Sequence, residues 1–406
     1  MDNNASKAMT KLLKLIKIVK DIWLILGVTL FLLIVIEACI LTASFVKKHF
    51  IAPPAKDSRI HADSYDDSSW LGAYYSELDR SSQARWEPYI YWRRSPYHGN
   101  YINIDSDGNR LTVNSASTRA PLKIFMFGAS TLWGTGDRDE FTIPSILAKD
   151  LEKSGVDCKV VNFSEAGFVS TQQIIQLMLQ LQKNNIPDIV IFYGGGSDTL
   201  SAYQQGVAGL PVNEFNRVRE FNLSKPERFW PMTFWEMVNK HSADSLGIYD
   251  GSKNVSRDPL LAQQVVQIYT NNLKLMKALS VAYGFKSLSY LEPAIFQKKH
   301  LSSYETGVRD QEAHARDKKQ SLEDFFDTTH DLFEKSIPNL QKDYSLYDVS
   351  MIFSDVSEPI FLDWAHVGEK GNGILAQRMA EDVEKVVRTH GVAGNDTAPS
   401  ASQISH

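Results

Sequence analysis

The sequence predicts an α/β fold built on a central parallel sheet of about five strands. Three observations predict it. Short, near-continuous apolar runs, such as Lys123–Phe127, Lys159–Phe163, Asp188–Tyr193 and Lys286–Leu291, read as strands buried on both faces. Segments with helical periodicity separate these runs, and strands alternating with helices imply parallel strands with helices on both faces. Residues able to do chemistry collect just after the runs, where open α/β sheets bind their ligands.

The 406 residues carry a formal charge of −5 with no acidic or basic blocks in the body of the chain, which argues against nucleic acid as a partner. The two cysteines, Cys39 and Cys158, form neither a zinc spacing nor a disulfide framework. No metal or cofactor is implied.

In chain order, residues 1–21 are basic, with Lys7, Lys11, Lys14, Lys17 and Lys20 set among Leu and Ile. Residues 22–46 form an apolar run broken only by Glu37, long enough to span a bilayer with some tilt. The run exceeds the apolar core of a signal peptide, and Glu37 makes Ala38-Cys39 a poor lipidation site, so an uncleaved anchor is expected. Only Lys47 and Lys48 follow it, which puts the N-terminus in the cytoplasm and the rest of the chain outside, at the cell (inner) membrane. Residues 47–72 are polar, with Pro53-Pro54 near their start, and read as a linker.

Residues 73–120 read as a small β-rich extension. It contains the aromatic stretch Trp86–Tyr97 and a hairpin around Asp107-Gly108. Arg93 and Arg94 are expected to stack within that layer. The spacing Asn103-x-Asp105-x-Asp107-Gly108 begins like a calcium loop, but Asn114 stands where the bidentate Glu is required.

The main domain is expected over 121–390. Its helices are read at Thr142–Ser154, Thr171–Asn185, Leu260–Tyr283, roughly 304–336 and Gly368–Arg388, with a fifth strand at Ser345–Val349. Residues 201–258 break the rhythm and read as an irregular insertion over the sheet's C-terminal edge. Residues 391–406 have the composition of a disordered tail.

Four loops carry the candidate chemistry. Gly128-Ala-Ser130-Thr follows the first strand, Asn162-Phe-Ser-Glu-Ala-Gly167 the second and Gly194-Gly-Gly-Ser-Asp198 the third, while Asp363-Trp-Ala-His366 precedes the final helix. A serine hydroxyl becomes a nucleophile when a base removes its proton, and histidine does this best near neutral pH. Asp363 is placed to hold the His366 tautomer and stabilise the imidazolium. Backbone N–H groups of Ser130 and Gly167 are candidate oxyanion donors, since a glycine leaves the backbone open to substrate.

These blocks resemble the SGNH/GDSL hydrolases, serine esterases and lipases of flavodoxin-like three-layer α/β fold, and the proximal Tyr91-Trp-Arg-Arg94 and Gly99-x-Tyr-Ile-Asn-Ile-Asp105 resemble most of all a membrane-anchored bacterial branch. The resemblance covers most of residues 80–390 and is diffuse across 201–340. It implies Ser130 as nucleophile, Gly167 as oxyanion glycine, and Asp363 and His366 as the Asp-x-x-His pair. In the third block the family's Gly-x-Asn-Asp is here Gly195-Gly-Ser-Asp198, so Ser197 takes the place of the third oxyanion donor. A short, freely rotating hydroxyl is less preorganised than an amide, which implies low activity.

The expected function is an exocytoplasmic serine ester hydrolase working through an acyl-enzyme, on esters of surface glycans or lipids. An acyl transferase using the same residues, and a catalytically impaired glycan-binding or assembly protein on the same fold, are the alternatives.

Overall fold

The computed structural model describes residues 3–46, 57–65, 67–114, 121–214, 217–218, 221, 259–314 and 321–390. The chain divides into two compact units, Met1–Asp57 and Ser58–His406. In the first, helix α1 (Asn3–Val46) runs unbroken through both the basic segment and the apolar one. Its stretch Met9–Ile40 contains an 18-residue window of mean hydropathy 2.6 and is long and apolar enough to cross a membrane.

The second unit starts inside the stretch read as linker. A 3₁₀ turn at Ser58–His61 and helix α2 (Leu71–Arg80) occupy its latter part, and Ala62 and Leu71 are buried. Polar composition misleads here because the described apolar residues, Ile60, Ala62, Tyr65, Trp70 and Leu71, are buried or partly buried. The β-rich extension accordingly opens with a helix. Leu71, Tyr74 and Tyr75 of α2 pack with Ile102, Ile104 and Trp133 in a small core of their own.

The extension then forms two antiparallel pairs. Strands β1 (Ala84–Glu87) and β2 (Tyr91–Arg94) make one, β3 (Tyr97–His98) and β4 (Asn103–Ile104) the other. The turn at Asp107-Gly108 closes through an Asx motif, in which the Asp105 carboxylate accepts from the backbone N–H groups of Asp107 and Asn109. Its strands are shorter than expected. Only an Ile104–Arg110 bridge joins them, because Arg110 also bridges to Asn162 on the main sheet.

The main sheet is five-stranded and parallel: β5 (Leu122–Gly128), β6 (Cys158–Asn162), β7 (Ile189–Gly194), β8 (Lys286–Leu291) and β9 (Leu346–Asp348). Its spatial order is β6-β5-β7-β8-β9, the 2-1-3-4-5 order of flavodoxin-like folds. Alternate residues face opposite layers. Ile124, Met126, Ile189 and Ile191 pack with Leu147 of α4 (Ile143–Lys153) and Met379 of the C-terminal helix Glu369–His390. Phe125, Phe127, Val190 and Phe192 pack with Leu177 of α5 (Ser170–Gln182) and with helices Pro259–Tyr283 and Leu322–Tyr344.

The expected elements recur within a few residues of their predicted ends. The charged stretch at 304–336 is in fact two helices, Ser303–His314 and Leu322–Tyr344. Of the insertion, the end of helix α6 (Gly196–Gln205), the residues to 214, and 217–218 and 221 are described, whereas Phe229, Trp230, Phe234 and Trp235, and the tail at 391–406, lie outside the described residues.

Candidate active site

The switch point of the sheet lies between β5 and β7, and two of the four candidate loops leave from there. β5 ends at Gly128. A Cβ at this position would lie 2.7 Å from the Tyr193 carbonyl oxygen on β7 and 2.7 Å from Leu132 Cβ, so only glycine allows the turn. The chain enters the single-turn helix α3 (Ser130–Trp133) at Ser130.

The N-terminal extension holds this turn from outside. Arg110, fully buried, donates to the carbonyls of Trp133, Gly134 and Asp137 and pairs with Asp139 at 2.9 Å. Tyr74 Oη accepts from Gly136 N at 2.8 Å.

His366 reaches the serine from the opposite end of the domain. Leu362 N donates to the His366 carbonyl at 2.8 Å and Phe361 bridges to Val367, which folds residues 361–367 into a tight loop. Inside it Asp363 Oδ1 accepts from the N–H groups of Ala365 (3.0 Å) and His366 (2.8 Å). Asp363 Oδ2 lies 2.7 Å from His366 Nδ1, and His366 Nε2 lies 2.8 Å from Ser130 Oγ. A carboxylate against Nδ1 selects the Nδ1–H tautomer, leaving Nε2 to accept the serine proton.

Burial alone would raise Asp363. The facing His366 ring, its hydrogen bonds and the Arg59 guanidinium outweigh it and hold the carboxyl well below the usual range. Arg59 Nη1 bonds Asp363 Oδ2 at 3.1 Å. No sequence pattern marks this arginine, which lies 304 residues from its partner in the stretch read as linker.

The two other predicted site residues lie on separate elements, a loop and a helix. Gly167 has φ +77°, a left-handed conformation that glycine adopts freely. Ser197 is the second residue of α6 and half-buried, and its hydroxyl bonds no described side chain.

The first N–H groups of α6 are already engaged. Glu292, at the end of β8, accepts from Gly196 N at 2.7 Å and from Thr131 Oγ1 at 2.6 Å, and also meets the Ser197 N–H. Burial raises the Glu292 carboxyl despite these bonds and the nearby His366. Ser197 can therefore offer an oxyanion only its hydroxyl. Glu292 was missed in the sequence because Glu-Pro after a strand is an unremarkable pair. It ties together the loops after β5, β7 and β8. Asp198, next along, accepts from Ser170 Oγ at 2.6 Å and from Ser170 N, anchoring α6 to the start of α5.

The hairpin β1–β2 clamps the Gly167 loop. Trp92 Nε1 donates to the Ala166 carbonyl at 3.0 Å, Arg93 to those of Phe163 and Ser164, and Arg94 pairs with Glu165. Stacking within the hairpin layer, the expected use of both arginines, is not what the structure shows: Arg94 stacks outside that layer, its guanidinium 3.8 Å over the ring of Trp133 on α3. Arg93 instead crosses to the main sheet. His330, Asp331 and Glu334 bring three ligand atoms within 4.8 Å of one another, but exposed acids commonly cluster so without an ion, and none of them bonds Ser130, Asp363 or His366.

No family profile and no curated protein matches the chain. Solved structures are similar to it in fold. An acetyl xylan esterase is 15% identical, with 64% of this chain and 100% of that one covered at a TM-score of 0.35. A putative lipolytic protein of the G-D-S-L family from Desulfitobacterium hafniense DCB-2 is 9% identical, covering 64% and 98% at 0.34. A lipase/acylhydrolase from Enterococcus faecalis is 12% identical, covering 65% and 96% at 0.34. The likeness to these structures is one of fold.

Proposed function

We propose that the chain is a membrane-anchored serine ester hydrolase of the SGNH/GDSL type. The observation that carries this reading is the continuous relay from Ser130 Oγ to His366 Nε2 at 2.8 Å and from His366 Nδ1 to Asp363 at 2.7 Å.

In this reading Ser130 Oγ attacks the ester carbonyl carbon while its proton passes to His366 Nε2. The tetrahedral oxyanion is received by the N–H groups of Ser130 and Gly167 and by the Ser197 hydroxyl. The imidazolium returns the proton to the departing alcohol, leaving an acyl-Ser130. A water then attacks the acyl carbon, giving its proton to His366, and collapse frees the carboxylic acid and restores the serine. Asp363 stays ionised throughout, steadied by Arg59.

Helix α1 serves as the anchor, with its lysine-rich start in the cytoplasm and the domain from Ser58 outside. That location favours esters of surface glycans, such as O-acetyl groups, or of lipids as substrates. A fluorophosphonate probe on the purified chain tests the chemistry: Ser130-dependent labelling is expected, and its absence in correctly folded protein would overturn the reading. An alkaline phosphatase fusion after residue 50 should be active if the orientation is right.

A further inference from the structure

A second polar site lies on the α5 face of the sheet. A cavity of about 510 Å³ opens between the β1–β2 hairpin, strands β5 and β6, and α5. Two groups in its wall lack partners. Arg93 is 1% exposed, its terminal nitrogens bond only carbonyl and amide oxygens, and its Nε has no partner. Gln176 is 6% exposed and its Oε1 is likewise unpartnered.

Such groups are costly to bury, so nearly all find a partner in a folded protein. The neighbouring buried arginines each have a carboxylate partner, Arg94 in Glu165 and Arg110 in Asp139, although Arg94 Nη1 is itself unbonded. Among the described residues Arg93 has no carboxylate within salt-bridge distance. Burial, more than any other cause, pushes its guanidinium down from the usual arginine range, with Arg85 adding to the effect and the carboxylates of Glu165, Asp105 and Glu87 only partly opposing it.

The mouth of the cavity repeats the pattern. Lys123 and Lys159 are exposed and directly paired in register across β5 and β6, with Lys183 nearby, and none of the three has a carboxylate partner among the described residues. Acids in the same wall are committed elsewhere or exposed. Asp105 caps its turn, Glu87 faces Arg85 at 3.8 Å, and Asp107 stands at the tip. Five cations against three carboxylates line a cavity in a chain whose net charge is −5. The amides of Gln180 and Asn185, joined by one bond from Asn185 Nδ2 to Gln180 Oε1 at 2.9 Å, keep further donor and acceptor capacity, which suits hydroxyl groups as well as an anion.

We propose that this cavity binds an anionic glycan, its carboxylate or phosphate group meeting Arg93 Nε and the lysines and its hydroxyls meeting Gln176 and the other amides. The glycan as substrate rests on the ester-hydrolase reading; the anion site does not. Arg93 also donates to the Phe163 and Ser164 carbonyls in the loop that leads to Gly167. A chain held here would act on the oxyanion loop through the same guanidinium, so binding remote from the ester would support the chemistry.

The test uses the full-length chain in detergent with Ser130→Ala, so that binding is read without turnover. Calorimetry at low salt would compare an oligogalacturonate, a glycerol-phosphate oligomer and a neutral xylo-oligosaccharide. One or both anionic chains should bind about tenfold or more tighter than the neutral one, and Lys123→Glu with Lys159→Glu should remove about tenfold of that affinity. Which anionic chain binds identifies the carboxylate or the phosphate source. Equal binding of the neutral chain, no saturable binding near about 1 mM, or unchanged affinity in the folded double variant would overturn the site. Failure of Ser130 labelling with anionic binding intact would sink the hydrolase reading and leave the site standing.

Discussion

His366 Nε2 lies 2.8 Å from Ser130 Oγ although 236 positions separate them in the chain. Nothing local creates this contact. Ser130 is placed by the turn at the end of β5, and His366 by a loop that its own Asp363 holds closed. Removing either group should reduce ester hydrolysis by on the order of 10⁴- to 10⁶-fold, and Asp363→Asn by about 10⁴-fold, measured as kcat on a simple acetyl ester.

Arg59 acts through Asp363 rather than on substrate. Arg59→Met should lower kcat about tenfold, the worth of one charge-assisted hydrogen bond, with KM little changed. Arg59→Lys should recover part of the loss, and an unaltered kcat in Arg59→Met would remove the arginine from the site.

Gly167 combines a left-handed φ of +77° with a crowded surface, since an added Cβ would lie 2.8 Å from Val212 Cγ2. Gly167→Ala should therefore destabilise the fold by about 1–2 kcal/mol and displace the N–H proposed to receive the oxyanion. Thermal unfolding reads the first effect and kcat the second.

The Ser197→Asn variant addresses the weakest predicted donor. An amide there should raise turnover of an acetyl ester, up to the order of 10²-fold if it becomes a full oxyanion donor. Equal or lower activity would mean that Ser197 is adapted to its place or lies outside the hole.

Burial pushes the Asp198 carboxyl up to about 6, against the bonds that it accepts from Ser170. A carboxyl that holds its proton more tightly in the fold than in the unfolded chain stabilises the fold at low pH. That contribution is fully present below about pH 4, the unfolded value, and is lost as pH rises through about 6. Its size is on the order of 3 kcal/mol. Denaturant unfolding of Asp198→Asn at pH 4 and pH 7.5 should show a correspondingly flatter pH dependence than the parent.

Much of the fold was legible because its signals are local. Asp188–Tyr193 is an apolar run wherever it sits, Thr142 caps α4 with its own side chain, and Pro144 suits a first helical turn. The Asp363–His366 pair was legible for the same reason: its members are three positions apart, and the loop that joins them is closed by its own hydrogen bonds. The supporting partners were not. Arg59, Glu292 and Trp92 come from a polar stretch, a Glu-Pro pair and an aromatic hairpin, and each acquires its role only from a residue far along the chain.

The sequence by itself determined the order of strands and helices, the apolar N-terminal helix, and the candidate residues Ser130, Gly167, Asp363 and His366, because periodicity, caps and glycine turns act over a few positions. Only the tertiary structure decided that the sheet order is 2-1-3-4-5, that Arg59 and Glu292 buttress the site, and that Arg93 and Gln176 leave buried groups unpartnered beside a polar cavity. Pairing between strands and burial of charge depend on which distant segments meet, and that is a property of packing rather than of any stretch of chain.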